Sequence, residues 1–305
     1  MKKLGIGVII SEKGNKFMKE QSLINKFKKE VDKLGKQKHA KLGIFPDRDI
    51  VFFRGQKSKF QLVPSLLRIN KKSNTDIRRT ENQLFCDTYI IYSEQNNLQS
   101  SWETLAMMQH FGIPTRLLDW TSSLGNALYF ALENCLDCTK KCQCCNETPA
   151  IWLLAPHKMH ECFYDKILKS RLSITIGVDS FEDYKEFFLD IENPNPKRKD
   201  SSKTKKDLCQ KWFWKKPIFL EIPWRNLRIK SQKGFFTFHY NGKPLENYNH
   251  HEKFLKKIKL SPDDIEQAKT LIKLLNISAF DMYADLPSLS QHLKEKYCST
   301  KPKDR

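Results

Sequence analysis

Residues 116–154 constrain the fold more than any other stretch of the chain. Arg116-Leu117-Leu118-Asp119-Trp120 reads as a largely apolar strand, and Thr121-Ser122-Ser123 follows it as the opening of a helix. Leu124, Ala127, Leu128, Ala131 and Leu132 then recur at the spacing of one helix face. Ala150–Leu154 (AIWLL) is a second apolar run, of a length suited to a buried strand. A helix with one apolar face between two apolar strands points to helices packed on a sheet.

The flanking segments support an α+β class with a mixed or antiparallel sheet and flanking helices. Asp49–Phe53 (DIVFF) predicts a buried strand that ends at Arg54-Gly55-Gln56. Ser100-x-x-Glu103 has the form of a capping box, behind which Trp102, Leu105, Ala106 and Gln109 share a helical face until Gly112-Ile113-Pro114 stops it. Pro217–Ile222 and Gly234–Tyr240 read as strands. Ser261-Pro262-Asp263-Asp264 places an N-cap, a first-turn proline and an N3 acid in order before Ile265, Ala268, Ile272 and Leu275. Strands and helices intermix without a strict βαβ rhythm, and no internal repeat is visible.

Composition narrows the function classes. The 305 residues carry a formal net charge of +19, which attracts nucleic acid, nucleotides and anionic surfaces without choosing among them. Hydrophobic residues make up 39%, enough for a core and against wholesale disorder. No apolar run approaches the ~18 residues of a membrane span, and Leu4–Ile10 after Met1-Lys2-Lys3 is a short strand or arm with no cleavage-site pattern behind it. A cytoplasmic chain without a membrane partner is expected. Residues 1–45 read as a basic N-terminal arm in which Phe27 and Val31 fit an amphipathic helix. The main domain spans 46–295, with a Cys-rich insertion at 134–149, a disordered basic insertion at 193–210, and a basic tail at 296–305.

Five of the nine cysteines fall in one short run, Cys135, Cys138, Cys142, Cys144 and Cys145, spaced C-x2-C-x3-C-x-C-C. In a reducing compartment this density favours thiols over disulfides. The first pair has the spacing of a zinc knuckle, so a structural zinc site is one reading, free thiols in a loop a second and a redox function a third. The second half is too compact for a standard second knuckle.

Three ordered segments resemble the FRG domain family. The first is Phe53-Arg54-Gly55-Gln56 with Phe60-x-Leu62-x-Pro64-Ser65-Leu66-x-Arg68. The second runs from Trp102-Glu103 through Gln109-His110-x-Gly112-Ile113-Pro114-Thr115-Arg116-Leu117-Leu118-Asp119-Trp120-Thr121 to Ala127-Leu128-Tyr129-Phe130-Ala131. The third is Arg228-x-x-x-Gln232-x-Gly234-x-Phe236-Thr237. Near the C-terminus Met282-Tyr283-Ala284-Asp285-Leu286 departs from the aromatic-Pro-Asp-Leu run frequent in that family.

The order of a strand with Arg-Gly, a strand ending in a hydroxyl triplet, and a late Gln at the head of a strand is also similar to the ADP-ribosyltransferase fold. That resemblance implies NAD+ as substrate, in a bacterial toxin or phage-defence setting. It implies Arg54, Ser122, Ser123 and Gln232 as catalytic residues. Arg54, Gly55, Thr121, Phe130, His110 and Arg116 would hold the nucleotide. An Arg can grip a pyrophosphate bidentately, and a Gly lets backbone approach the ligand closely. Gln232 stands where those enzymes carry Glu, so NAD+ hydrolysis, altered transfer and binding alone all stay open.

Plainer readings stand beside these. Arg54 pairs with Asp119 or Glu103, Thr121 caps the following helix, and Gln109, His110, Arg116 and Asp119 form one internal network or contain a His110–Asp119 acid/base pair. The rival functions are a nucleic-acid-binding module, or an interaction module with a metal-stapled cysteine loop.

Overall fold

The computed structural model describes residues 22–35, 51–69, 74–96, 101–136, 147–163, 216–222 and 227–298. The Leu4–Ile10 run, Ser100, Cys138 to Cys145, the 193–210 insertion and the end of the basic tail lie outside the described residues.

Among the described residues six strands form one antiparallel sheet in the order β4-β5-β2-β1-β3-β6. They are β1 (Phe52–Lys57), β2 (Leu117–Thr121), β3 (Pro149–Leu154), β4 (Ile218–Leu220), β5 (Gly234–Phe238) and β6 (Leu255–Lys259). The helices are α1 (22–35), α2 (Ser65–Ile69), α3 (Asn74–Asn96), α4 (Ser101–His110), α5 (Leu124–Leu132), α6 (Pro156–Phe163), α7 (Leu227–Ser231), α8 (Pro262–Leu274), α9 (Ala279–Tyr283) and α10 (Leu286–Tyr297). The α+β class with an antiparallel sheet and flanking helices is what the structure shows. None of the described helices is long and apolar enough to cross a membrane.

The alternation of side chains along β1 and β3 sorts the core into two layers. Phe53, Ile151 and Leu153 point to one layer with Ala127, Leu128 and Ala131 of α5 and Ala268 and Ile272 of α8. Phe52, Trp152 and Leu154 point to the other with Trp120, Phe219, Phe235 and Met159. A third cluster packs Trp102, Leu105 and Met108 of α4 on Leu117, Phe236 and Phe238. The helix read as part of an outlying arm belongs to this core. Leu23, Phe27 and Leu34 of α1 are buried with α5 and α8, and Lys26 Nζ meets Asp264 Oδ2 at 2.6 Å.

Two boundaries differ from the sequence reading. β1 does not stop before Arg54 but runs through it to Lys57, because all six of its residues pair with β3. Helix α5 begins at Leu124 with Ser123 as its cap, the Ser123 hydroxyl accepting from Asn126 N at 3.3 Å. Thr121 is therefore the end of β2 and not the cap.

The pairing of β1 is lopsided, and this positions the site. Against β3 it is registered from Phe52↔Leu154 to Lys57↔Pro149, whereas against β2 the register holds only Phe53↔Thr121. Beyond that pair the two strands splay, and a cleft opens at the fork.

Candidate functional site

The cleft has a volume of about 360 Å³. Its floor comes from Arg54 to Lys57 of β1 and Asp119 to Thr121 of β2. Gln109 and His110 close one side from the end of α4. Arg228 and Gln232 come from α7 and the turn before β5, and Phe130 and Asn134 from α5 and just beyond it. Arg54, Lys57 and Arg228 face a single carboxylate, Asp119, among the lining residues. Phe60, Phe130, Phe235 and Trp120 add aromatic surface.

Arg54 spans the fork. Its Nη1 donates to Asp119 O at 2.8 Å and approaches Asp119 Oδ2 at 3.5 Å, while Nε donates to Gln56 Oε1 at 3.1 Å. Gln56 Nε2 donates to Phe60 O at 2.8 Å. On the other side Gln109 Nε2 donates to Asp119 Oδ2 at 2.9 Å, and Thr115 Oγ1 donates to Gln109 Oε1 at 2.7 Å. Thr115, Gln109, Asp119, Arg54 and Gln56 thus form one chain of hydrogen bonds across the cleft floor. The pairing of Arg54 with Asp119 is the plainer sequence reading, and it is present. Burial pulls Arg54 below the ordinary guanidinium value and Arg68 adds to this, while Asp119 opposes it. An arginine remains charged throughout. Its Nη2 has no hydrogen-bond partner among the described residues and stays available to a ligand.

The four-residue polar set divides. Gln109 and Asp119 bond each other as above. Arg116 lies outside the cleft wall, buried at 1% exposure with its Nε on Glu81 Oε2 at 2.6 Å, so it cannot reach a nucleotide there. His110 lines the cleft but does not pair with Asp119, whose Oδ2 is taken by Gln109 and Arg54. His110 Nδ1 is buried without a hydrogen-bond partner among the described residues. Burial lowers the His110 pKa and Arg228 lowers it further, against a smaller pull from Asp285.

The hydroxyl triplet fastens the scaffold. Thr121 Oγ1 donates to Gln232 O at 2.6 Å and accepts from Ser123 N at 3.0 Å. Ser122 is exposed and Ser123 caps α5, and neither lines the cleft. Gln232 does line it, with Nε2 donating to Met282 O at 2.8 Å. Gly55 lines it too, but the reason for glycine is on its other side, where a Cβ would meet Ala127 O of α5 at 1.8 Å.

Several residues that shape the wall were not singled out for the site from sequence. Arg228 donates from Nη1 to His110 O at 2.9 Å, and its guanidinium lies 4.7 Å from the Tyr283 ring centre. Tyr283 donates its hydroxyl to the Glu133 carboxylate, and burial together with that bond raises its pKa. Asp285 is occupied as the cap of α10, accepting from Ser288 N at 2.9 Å. Lys57 Nζ is 3.5 Å from the buried Cys135 Sγ. An ammonium there is an unfavourable neighbour for a divalent cation on the same sulfur. Among the described residues no group of three or more His, Cys, Asp or Glu is placed to hold a metal.

Residues 49–140 match the family model of the FRG domain. The chain carries an FRG domain. Its matched region supplies β1, α4, β2 and α5, and with them Arg54, Gln109, His110, Asp119, Thr121 and Phe130 of the cleft. Arg228 and Gln232, which complete the wall, lie beyond the matched residues. No curated protein and no solved structure matches the chain.

Behind the FRG cleft floor two buried histidines make stability depend on pH. His239 is fully buried and hydrogen-bonds Thr237 Oγ1 at 2.9 Å, and that hydroxyl in turn accepts from Trp120 Nε1 at 3.0 Å. Burial, with Arg54 nearby, depresses its pKa to about 3. His160 accepts from Phe219 N at 3.3 Å, and burial beside His157 depresses it to about 4. Both are neutral when folded and titrate near pH 6.5 when unfolded. Their contribution is complete above that pH and is lost as pH falls toward 4 and 3. Urea denaturation at pH 7.5 and pH 5 should differ by about 2 kcal/mol per histidine. A His160→Gln, His239→Gln variant with the same pH difference as the native chain would refute this assignment.

Proposed function

We propose that the cleft of the FRG domain binds NAD+ or a related nucleotide and cleaves its nicotinamide–ribose bond. One observation carries the reading. Arg54, His110, Thr121, Phe130 and Gln232, implied separately by the resemblance to ADP-ribosyltransferases, line the same cleft although they come from five elements or turns. The chemistry of the lining supports an anionic ligand with an aromatic base. Arg54 and Arg228 are suited to phosphate and the ring-rich wall to a base or nicotinamide. The volume is at the small end of the ~300–1,000 Å³ typical of ligand sites, which suits one half of a dinucleotide better than the whole.

Gln232 would act as a neutral hydrogen-bonding group. With Nε2 on Met282 O, its Oε1 is left to accept from a ribose hydroxyl. Calorimetric titration with NAD+ and an assay of nicotinamide release test the reading together. Native chain should bind and release nicotinamide. Arg54→Ala should lose at least ~10-fold in affinity, the worth of one charge-assisted contact, with its fold checked by circular dichroism. Native chain that neither binds NAD+ nor releases nicotinamide refutes the proposal.

A further inference from the structure

Resting on that reading, we infer that Asp119 is the water-activating catalytic residue of the cleft, and that the domain therefore consumes its nucleotide by hydrolysis. Asp119 is the sole carboxylate among the residues that line the cleft. Its side chain is held yet accessible. Oδ2 accepts from Gln109 Nε2 at 2.9 Å and lies 3.5 Å from Arg54 Nη1, while 43% of the side chain remains exposed. Oδ1 has no partner among the described residues. One oxygen is fixed by two donors, and the other, with none among those residues, sits on a side chain that lines the cleft and is partly exposed.

This differs from an arginine anchored by a carboxylate for structural reasons alone. Arg54 is anchored chiefly through the Asp119 backbone, its Nη1 being 2.8 Å from Asp119 O. The carboxylate is oriented chiefly by Gln109, which Thr115 holds in turn at 2.7 Å. That second arm does nothing for Arg54, but it sets the direction of Oδ1. Gln109 is a positioning residue.

Water is the second reactant, and no other is needed. A water oxygen bonds to the anomeric carbon of the ribose, and the bond from that carbon to the nicotinamide nitrogen breaks. The nicotinamide leaves with the bonding pair as a neutral molecule, and the water proton passes to Asp119. The carboxylate also opposes the positive charge that develops on the ribose in the transition state. Gln232, neutral and hydrogen-bonded to Met282 O, can orient ribose but cannot supply that charge.

The test uses the full chain and NAD+, with binding and nicotinamide release measured separately. Asp119→Asn keeps the shape and an acceptor for Gln109. It should bind NAD+ within about 3-fold of the native chain while release falls ~100-fold or more, the range expected for loss of a positioned acid/base group. In Asp119→Ala, added formate should restore part of the rate, which a purely structural role would not permit. Gln109→Met should lower kcat with little change in KM. Free ADP-ribose should accumulate in step with nicotinamide. Native-like release by Asp119→Asn, or no formate rescue of Asp119→Ala, overturns the inference while leaving nucleotide binding intact. Loss of release in His110→Asn with Asp119→Asn unaffected would assign the base to His110 instead. Absence of NAD+ binding by the native chain overturns the functional reading itself, and the role of Asp119 with it.

Discussion

Gly55→Ala abolishes cooperative folding. The added Cβ would lie 1.8 Å from Ala127 O, 2.7 Å from Ala131 N and 2.8 Å from Ala127 C, and all three are backbone atoms of α5. A core that is overpacked against side chains relaxes through rotamers at a cost of ~1–3 kcal/mol. Here no rotamer can give. Either α5 lifts from β1 or β1 leaves its register with β3, and both routes open the layer that holds Phe53, Ala127 and Ile151. The loss should reach the rare range above ~4–5 kcal/mol, comparable with the whole stability of many domains. Gly242→Ala is the matched control, because its Cβ would meet only Leu67 O, at 3.7 Å. Thermal melts followed by circular dichroism should show a native-like transition for Gly242→Ala and none for Gly55→Ala. A Gly55→Ala melt within a few degrees of the native chain would disprove the close packing of α5 on β1.

That glycine shows both the reach and the limit of the sequence. The Arg-Gly pair marks the site, but local chemistry assigns the glycine to the ligand, whereas its Cβ direction faces a helix read correctly from its own periodicity. The contact between them is long-range, and no spacing rule contains it. The apolar strands at β2, β3 and β5 were legible, as was the capped start of α8, because alternation and capping are local. Helix α3 was not, since its inward positions Ile77, Leu84 and Thr88 are separated by polar residues and its apolar stripe is thin. Missing α3 hid Glu81, and without Glu81 the charge of Arg116 had no visible partner. The split of β2 from β1, which makes the cleft, depends on strand pairing over tens of residues. The sequence places Arg54 and Asp119 at the ends of separate strands and says nothing of the fork between them.

Glu81→Gln, by the same logic, destabilises the chain strongly although it touches no part of the cleft. Arg116 and Glu81 are 1% and 0% exposed and joined by both Nε and Nη2, with the guanidinium stacked 4.5 Å from the centre of the Phe238 ring. Removing one charge strands the other in the core between α3 and β2, a change that costs ~3–5 kcal/mol in comparable buried pairs. Replacing both, as Glu81→Leu with Arg116→Met, removes the two desolvated charges together and should cost much less than the sum of the single changes. Urea denaturation of Glu81→Leu, Arg116→Met and the double variant that combines them closes the cycle, with a coupling of ~2 kcal/mol or more expected. Additive losses would mean that the pair contributes nothing as a pair. The same variants decide the place of Arg116 in the nucleotide reading. A ligand-gripping arginine, once replaced, lowers affinity and leaves stability near native. Arg116→Met should do the reverse at a temperature where it stays folded, because its guanidinium lies outside the cleft lining and is engaged with Glu81 and the Phe238 ring.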